Sequence, residues 1–474
     1  MSGRVRTHHI LSAALFVAFP AVGCSGEPGT QSASTEVTQS QAAASTVPEE
    51  GAEIHAFLDS RYKSTDVRHS FVTAAGETID CVDFFAEPGV RAMAARGEPI
   101  ATIPTFELPP DVPPKGTGGT KSIQLPLDGS LDPSGQIRAC PAGSVPELRL
   151  TPERILAAGG LAPFLHAMHH KAPPPILPPP ANESPGFAHV LAVASNVTVA
   201  WATASFSVAS PAASPTQHSL AQIWFGAGNK FAPCDGCACT GPGCFETIEV
   251  GWNVDHHQGM YSDYDPHLFI YSTEDGYGMT GCYNNMGNGC PTWIPNPSSW
   301  YFPGMDLAGL DPSYADFPPQ YDLNITVGYR YSAGWQVTMC IDAQYCSTLG
   351  YYALSDYSAP LNASPGYAHG TFFNAGGEVE DDGLLNRGSL CGFGLPPIVT
   401  MGQGLYNAGG GATAYFHDYY YLTAQNSSGR YVYMGAPIST CPTSYAWTNY
   451  VGQNDFSPWA NSFFYGNNYG NVPY

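Results

Sequence analysis

The chain has 474 residues, with 39 acidic against 17 basic side chains and a formal net charge of −22. Such a surface has little to attract nucleic acid or an anionic membrane, and both partner classes are set aside on charge alone.

In chain order, Arg4 and Arg6 precede an apolar run from Ile10 to Val22 that is too short to span a bilayer. The run ends Ala21-Val22-Gly23-Cys24-Ser25, which reads as a signal peptide over 1–24 closed by a bacterial lipobox, with Cys24 as the lipidated residue. The protein is therefore expected to be exported, held at the cell envelope as a lipoprotein or released after processing. Residues 25–50 are rich in Ser, Thr, Ala, Gln and Glu without an aromatic residue, the composition of a flexible tether. The text then becomes globular over 51–171. Ile54, Phe57 and Leu58 are helically spaced, Ile79-Asp80-Cys81-Val82 reads as a short strand, and Thr151-Pro152 offers a capped helix start. Seven prolines crowd 172–185, an extended, semi-rigid linker.

Beyond the linker, over 186–440, runs rich in Val, Thr, Tyr and Trp recur at 189–199, 222–225, 268–271, 323–331, 336–341 and 414–422, between Gly, Pro, Asn and Asp clusters. This pattern predicts an all-β fold, an antiparallel β-sandwich preceded by a smaller mixed α/β segment, and it is long enough for one well-buried core. Residues 441–474, rich in Tyr, Asn and Gly, read as a C-terminal tail. Setting Cys24 aside leaves twelve cysteines, an even number in a compartment where disulfides persist. The close spacings Cys282/Cys290 and Cys340/Cys346 predict small loop clips. Cys234, Cys237, Cys239 and Cys244 lack the common zinc spacing and a following His, so disulfides are favoured there too and no metal is assigned. Charge divides in the same place. Residues 186–474 hold four Lys and Arg against twenty acids, and 25–185 hold eleven against nineteen. Protonation would relieve the repulsion among so many acids, which suits work in acid.

In Glu246-Thr247-Ile248-Glu249-Val250-Gly251-Trp252, apolar residues alternate with Glu249 and Gly251, the period of a strand. Gly376-Gly377-Glu378-Val379 gives a second carboxylate the same glycine-lined setting. The text around both resembles the neprosin family of glutamic peptidases. His218-Ser-Leu-Ala-Gln222-Ile-Trp224 with Ile248-Glu249-Val-Gly251-Trp252 is similar to that family's strand pair around its first catalytic glutamate. The stretch from Leu268 through Tyr271, Asp275, Gly276 and Tyr277 to Cys282-Tyr283-Asn284 is similar to its next block, and Gly376-Gly377-Glu378-Val379 to the second glutamate's motif. Thr400-Met401-Gly402 with Ala414-Tyr415-Phe416 resembles the closing one.

The resemblance implies a dyad of Glu249 and Glu378, with Gln222, Trp224, Trp252 and Tyr283 as substrate-binding candidates, Gln222 for oxyanion support. It implies cleavage of protein or peptide substrates after proline, no cofactor, and an activation segment over 51–171 acting as an intramolecular inhibitor. Two carboxyl groups close together can share one proton, one acting as base toward water and the other as acid, and their reference pKa near 4.3 places that work in acid. Arg138, Arg149 and Arg154 are expected to pair with catalytic-domain carboxylates, and acid to loosen those pairs and start self-processing in the linker. No Gly-x-Ser-x-Gly elbow or His-Glu-x-x-His motif occurs. The rival readings are a β-sandwich glycosidase using the same glutamates and a non-catalytic surface-binding sandwich.

Overall fold

A computed structural model describes residues 47–73, 76–106, 108, 139–169, 187–211, 213, 217–228, 245–255, 261, 263–277, 280–287, 290–310, 322–330, 334–341, 345–363, 367–381, 401–402, 414–423, 431–439, 445–451 and 462–467. The lipobox with Cys24, the proline-dense stretch 172–185, Arg138 and the cysteines at 234, 237, 239 and 244 lie outside the described residues.

The first segment holds α1 (Val47–Arg61), β1 (Val67–Val72), β2 (Thr78–Asp83), α2 (Pro88–Ala95), β3 (Ser144–Leu148), α3 (Pro152–Ala157) and α4 (Leu161–His169). The strands form a three-stranded antiparallel sheet in the order β1-β2-β3. The helical spacing of Ile54 and Phe57 buries both, and the Phe57 ring meets Phe164 of α4 edge-on at 6.2 Å. Thr151 caps α3 as its sequence implies, its hydroxyl accepting from the Arg154 amide at 3.3 Å. Helix α1 starts at Val47, inside the stretch expected as tether. Pro48, Glu49 and Glu50 fill its first turn, where proline and acids suit a helix start. A Cys81–Cys140 disulfide ties β2 to the approach to β3.

The rest is one large, curled antiparallel sheet. Its strands are β4 (Phe187–Ser207), β5 (Gln217–Ala227), β6 (Glu246–Asp255), β7 (His267–Thr273), β8 (Cys282–Tyr283), β9 (Trp293–Pro295), β10 (Asp322–Arg330), β11 (Gly334–Ile341), β12 (Tyr345–Ala353), β13 (Gly370–Asp381), β14 (Ala414–Thr423), β15 (Tyr431–Tyr433), β16 (Ile438–Ser439), β17 (Tyr445–Val451) and β18 (Ser462–Asn467). The main path runs β8-β7-β6-β5-β13-β4-β10-β11-β12-β9. One face of its centre is apolar, with Ile223, Phe225, Val250, Trp252, Phe373 and Val379 buried. The sheet curls back on that face, so that Phe225 of β5 packs against Trp335 of β11 at 4.6 Å. This is the expected sandwich, made from a single sheet. Cys282–Cys290 and Cys340–Cys346 are disulfides, as their spacing predicted. The stretch expected as a tail contributes two strands: β17 pairs with β18, and β18 joins β14. Its aromatic run is the reason, since Phe463 and Tyr465 are buried.

Residues from Val47 onward form one compact unit. The first segment meets the large sheet beside β8 and β9. Arg61 donates to the Asn285 carbonyl at 2.9 Å and to Glu147 at 3.1 Å, and the Asn285 amide donates to Glu87 at 3.3 Å. Arg96 pairs with Asp356 and donates to Thr292 Oγ1 at 2.7 Å. The arginines expected at this junction behave otherwise. Arg149 pairs with Asp80 and Arg154 with Glu77, both inside the first segment. Both acids lie on or beside β2, within reach of arginines just past β3, and they claim those side chains locally. Among the described residues, the ion pair that crosses to the large sheet is Arg96–Asp356.

Candidate active site

The register of the central strands fixes the site. Residues directly opposite in an antiparallel pair put their side chains on the same face. Glu249 of β6 lies opposite Trp224 of β5, which lies opposite Asn374 of β13. Two residues along, Gly251, Gln222 and Gly376 form the next row. The third row is Asn253, Leu220, Glu378 and His189 of β4, and the fourth is Asp255, His218 and Glu380. All these residues share the face opposite the apolar one.

Glu249 and Glu378 therefore lie on one face but are not adjacent. They are two strands apart across the sheet and two rows apart along it, with Gln222 at the midpoint of the diagonal between them. Each diagonal step is about 7–8 Å, within reach of a long side chain. Gln222 has glycine on both sides in its own row, so no cross-strand side chain flanks it there. Those glycines are required. A Cβ at Gly251 would collide with the Ala221 carbonyl and sit 2.7 Å from the Cα and Cβ of Gln222. A Cβ at Gly376 would collide with the Val190 carbonyl and sit 2.5 Å from the Leu191 Cβ. Both glutamates, Gln222 and Trp224 are fully buried, whereas the sequence suggested unshielded acids.

Hydroxyl groups surround Glu249. Thr247 donates to its Oε1 at 3.0 Å, and the Tyr277 hydroxyl donates to the same oxygen. Tyr271 is its partner in β7, and its ring stacks on Tyr277 at 5.8 Å. Burial, then the neighbouring Glu249, raises both tyrosines well above the ordinary phenol pKa, so both stay protonated donors. Tyr277 is delivered by a tight turn. Its φ is 68°, a region that non-glycine residues seldom adopt, and its amide is held by Thr273 Oγ1 at 3.1 Å.

Imidazoles surround Glu378. His189 Nε2 lies 3.1 Å from Oε2, and His218 Nε2 lies 3.4 Å from Oε1. The other nitrogen of His218 meets Glu380 Oε2 at 2.9 Å. Burial works against a charge on His218, but Glu380, Glu378 and Asp255 outweigh it and raise its pKa well above 6.5. These acids favour the imidazolium form, in which both nitrogens can donate.

Trp224 links the two ends, since it pairs in register with Glu249 while its ring lies 6.1 Å from that of His189. Trp252 does not belong to the site. Its odd spacing from Glu249 puts it on the apolar face, where its indole donates to the Ser207 carbonyl at 2.8 Å. Tyr283 pairs with Tyr271 at the sheet's edge and donates to Asn253 at 2.6 Å, so it sits on the rim. Tyr277, His189 and His218 were not picked out from the sequence as site residues. The signal for His218 was alternation: it is four residues before Gln222 on the same strand face.

The family model for Neprosin matches residues 215–467, more than half of the chain and every strand that carries the site except β4. The chain belongs to the Neprosin family. Membership of this family supports a glutamic peptidase over the glycosidase and surface-binding readings. Solved structures with some likeness to this neprosin-family chain include scytalido-glutamic peptidase with a transition state analog inhibitor, at 11% identity and a TM-score of 0.27. Another is SCP-B, a member of the Eqolisin family of peptidases, in a complex with the tripeptide Ala-Ile-His, at 10% identity and a TM-score of 0.26. Each match covers 60% of this chain and 98% of the other. Those values are too low for any residue's role to be carried across.

Proposed function

We propose that the protein is an exported, acid-acting endopeptidase that cleaves after proline, with Glu378 as general base and Glu249 as general acid. The observation that carries this reading is the diagonal Glu249–Gln222–Glu378 on one buried face, with imidazoles at one end and hydroxyls at the other. A carboxylate beside an imidazolium favours its charged form, whereas at Glu249 complete burial works against the charge and only neutral hydroxyls offset it. Glu378 takes a proton from water, and the resulting hydroxide adds to the scissile carbonyl carbon. Glu249 protonates the carbonyl oxygen, supported by the Gln222 amide. On collapse the oxygen returns its proton to Glu249, Glu378 protonates the departing nitrogen, and the C–N bond breaks. Both carboxyl groups are restored. The register replaces a shared proton between touching carboxylates with two acids tuned apart by their surroundings.

The same reading includes a latent precursor anchored through Cys24. Complete burial of both glutamates in the full chain supports latency, because no peptide reaches them without an opening. The prolines at 175, 180 and 185 are the candidate cleavage sites. Among the described residues no helix is long and apolar enough to cross a membrane.

Purified protein, incubated in acid, should cleave a proline-containing peptide and leave a polysaccharide panel untouched. The full-length chain should yield a fragment beginning near Ala181 or Gly186, while Glu249→Gln stays intact. Polysaccharide cleavage, or equally fast clipping of the pure Glu249→Gln protein, would contradict the reading.

A further inference from the structure

We propose that His218, clamped between Glu378 and Glu380, is a positioning residue that holds Glu378 as an oriented carboxylate in strong acid. This rests on the peptidase reading and gives the clamp a task within it.

The clamp is built by the register alone. His218 and Glu380 are direct cross-strand partners, and Glu378 is the diagonal neighbour of His218 on the same face. One ring therefore reaches both acids, at 3.4 Å and 2.9 Å. Its two N–H bonds point in opposite directions, so Glu380 fixes the ring plane and thereby aims the Nε2–H at Glu378. The charged and titratable groups facing His218 are Glu378 and Glu380 on β13 and Asp255 on β6, its partner on the other side. His189 on β4 holds the second oxygen of Glu378. His218 is buried, so solvent screens the pair weakly. His218 does not meet the reacting atoms in this arrangement; it acts through Glu378.

The consequence is a working range. A general base loses activity when it is protonated, and an adjacent imidazolium postpones that protonation to lower pH. An enzyme whose general acid needs acid conditions gains from a base that stays ionised there. Glu380, one alternation step past Glu378, is then part of the same device.

A second histidine provides an internal control. His417 of β14 lies between Asp322 at 3.0 Å and Asp418 at 2.9 Å, and burial is again outweighed by these acids, raising its pKa to about 9. It faces Ser205 of β4, sixteen residues along that strand from His189. It is an equivalent ion cluster without a catalytic neighbour.

The test is the pH profile of kcat/KM on a proline-containing peptide for wild type, His218→Gln, Glu380→Gln, His417→Gln and Glu378→Gln. His218→Gln should move the acid limb upward by about 1 to 3 pH units, the range for losing an opposite charge at this distance. Below the limb this reads as a roughly 10- to 1,000-fold loss that falls on kcat and not on KM. Glu380→Gln should shift the limb the same way by less, and His417→Gln should leave it in place. An unmoved limb in folded, active His218→Gln would overturn the proposal. Substantial activity in Glu378→Gln would instead overturn the peptidase mechanism beneath it. Should His218→Gln fail to fold, the histidine NMR titration of inactive Glu249→Gln decides. His218 should remain protonated well past pH 7, and a midpoint near the reference 6.5 would refute the clamp.

Discussion

The two ends of the site begin with the same side chain and treat it differently. Glu249 sits among the hydroxyls of Thr247 and Tyr277, and Glu378 sits between the imidazoles of His189 and His218. Both are fully buried, so depth does not distinguish them; the neighbours do. Burial disfavours the charge on both; neutral donors offset that less than a cation does. Separate acid and base can therefore be made from identical residues held apart on one sheet face, without forcing two like charges together.

The largest effects should come from removing either end. Glu249→Gln and Glu378→Gln should each lower kcat by at least about a thousandfold with the fold intact by circular dichroism. Glu246→Gln should not, because Glu246 faces the other side of β6, where it accepts from the Ser358 amide at 2.7 Å. Retention of most activity in either dyad variant would break the comparison. Next in size is the spacing between the ends. Gly251→Ala or Gly376→Ala should cost about 1–3 kcal/mol of stability from overpacking, measured by denaturant unfolding, and should also displace Gln222 or its row. Tyr277→Phe should sharpen the acid end more gently. Losing a hydroxyl donor to a buried carboxyl group costs about 1–3 kcal/mol, a roughly 10- to 100-fold fall in kcat if it acts in the transition state.

The junction between the first segment and the sheet gives a smaller effect whose sign is the informative part. Burial, then the neighbouring Glu147, raises Glu87 to about 8, and burial, then Asp356, raises Glu274 to about 8. A carboxyl group with a raised folded-state pKa contributes stability fully below its unfolded value, 4.5 here, and loses it as pH climbs through its folded value. The Tm contribution from these two residues should thus fall between about pH 4.5 and 8. At Glu87 acid therefore favours the folded first segment, and this shift gives no support to the expectation that acid loosens it. The proposed self-processing is then attributed to the active site acquiring its working protonation rather than to electrostatic release. Arg96 is half-exposed but its partner Asp356 is buried, so Arg96→Ala strands a buried carboxylate and should lower Tm modestly.

Much of this was legible in the residues. Runs rich in Val, Thr, Tyr and Trp located β4, β5, β7, β10, β11 and β14, period-two alternation located β6, and the spacing of Cys282/Cys290 and Cys340/Cys346 located two disulfides. What alternation fixes is which face a side chain takes; it placed Glu249 and Gly251 together and, read strictly, already excluded Trp252. It does not fix how strands that are distant in sequence slide against each other. The four-residue offset between Glu249 and Glu378, and the arrival of His189 from β4 beside Glu378, come from pairings between segments more than a hundred residues apart. Tyr277 was hidden for a related reason, since its side chain reaches Glu249 through a turn with positive φ. The strands of 445–451 and 462–467 were missed because a Tyr, Asn and Gly composition resembles a tail until its aromatic residues find β14.

The most direct test of the division of labour is the pH dependence of the residual kcat/KM in the two glutamine variants. Glu378→Gln should lose the acid limb, because the group that must be deprotonated is gone. Glu249→Gln should lose the basic limb, because the group that must hold a proton is gone. Exchanged limbs, or an unchanged bell in either variant, would contradict the assignment.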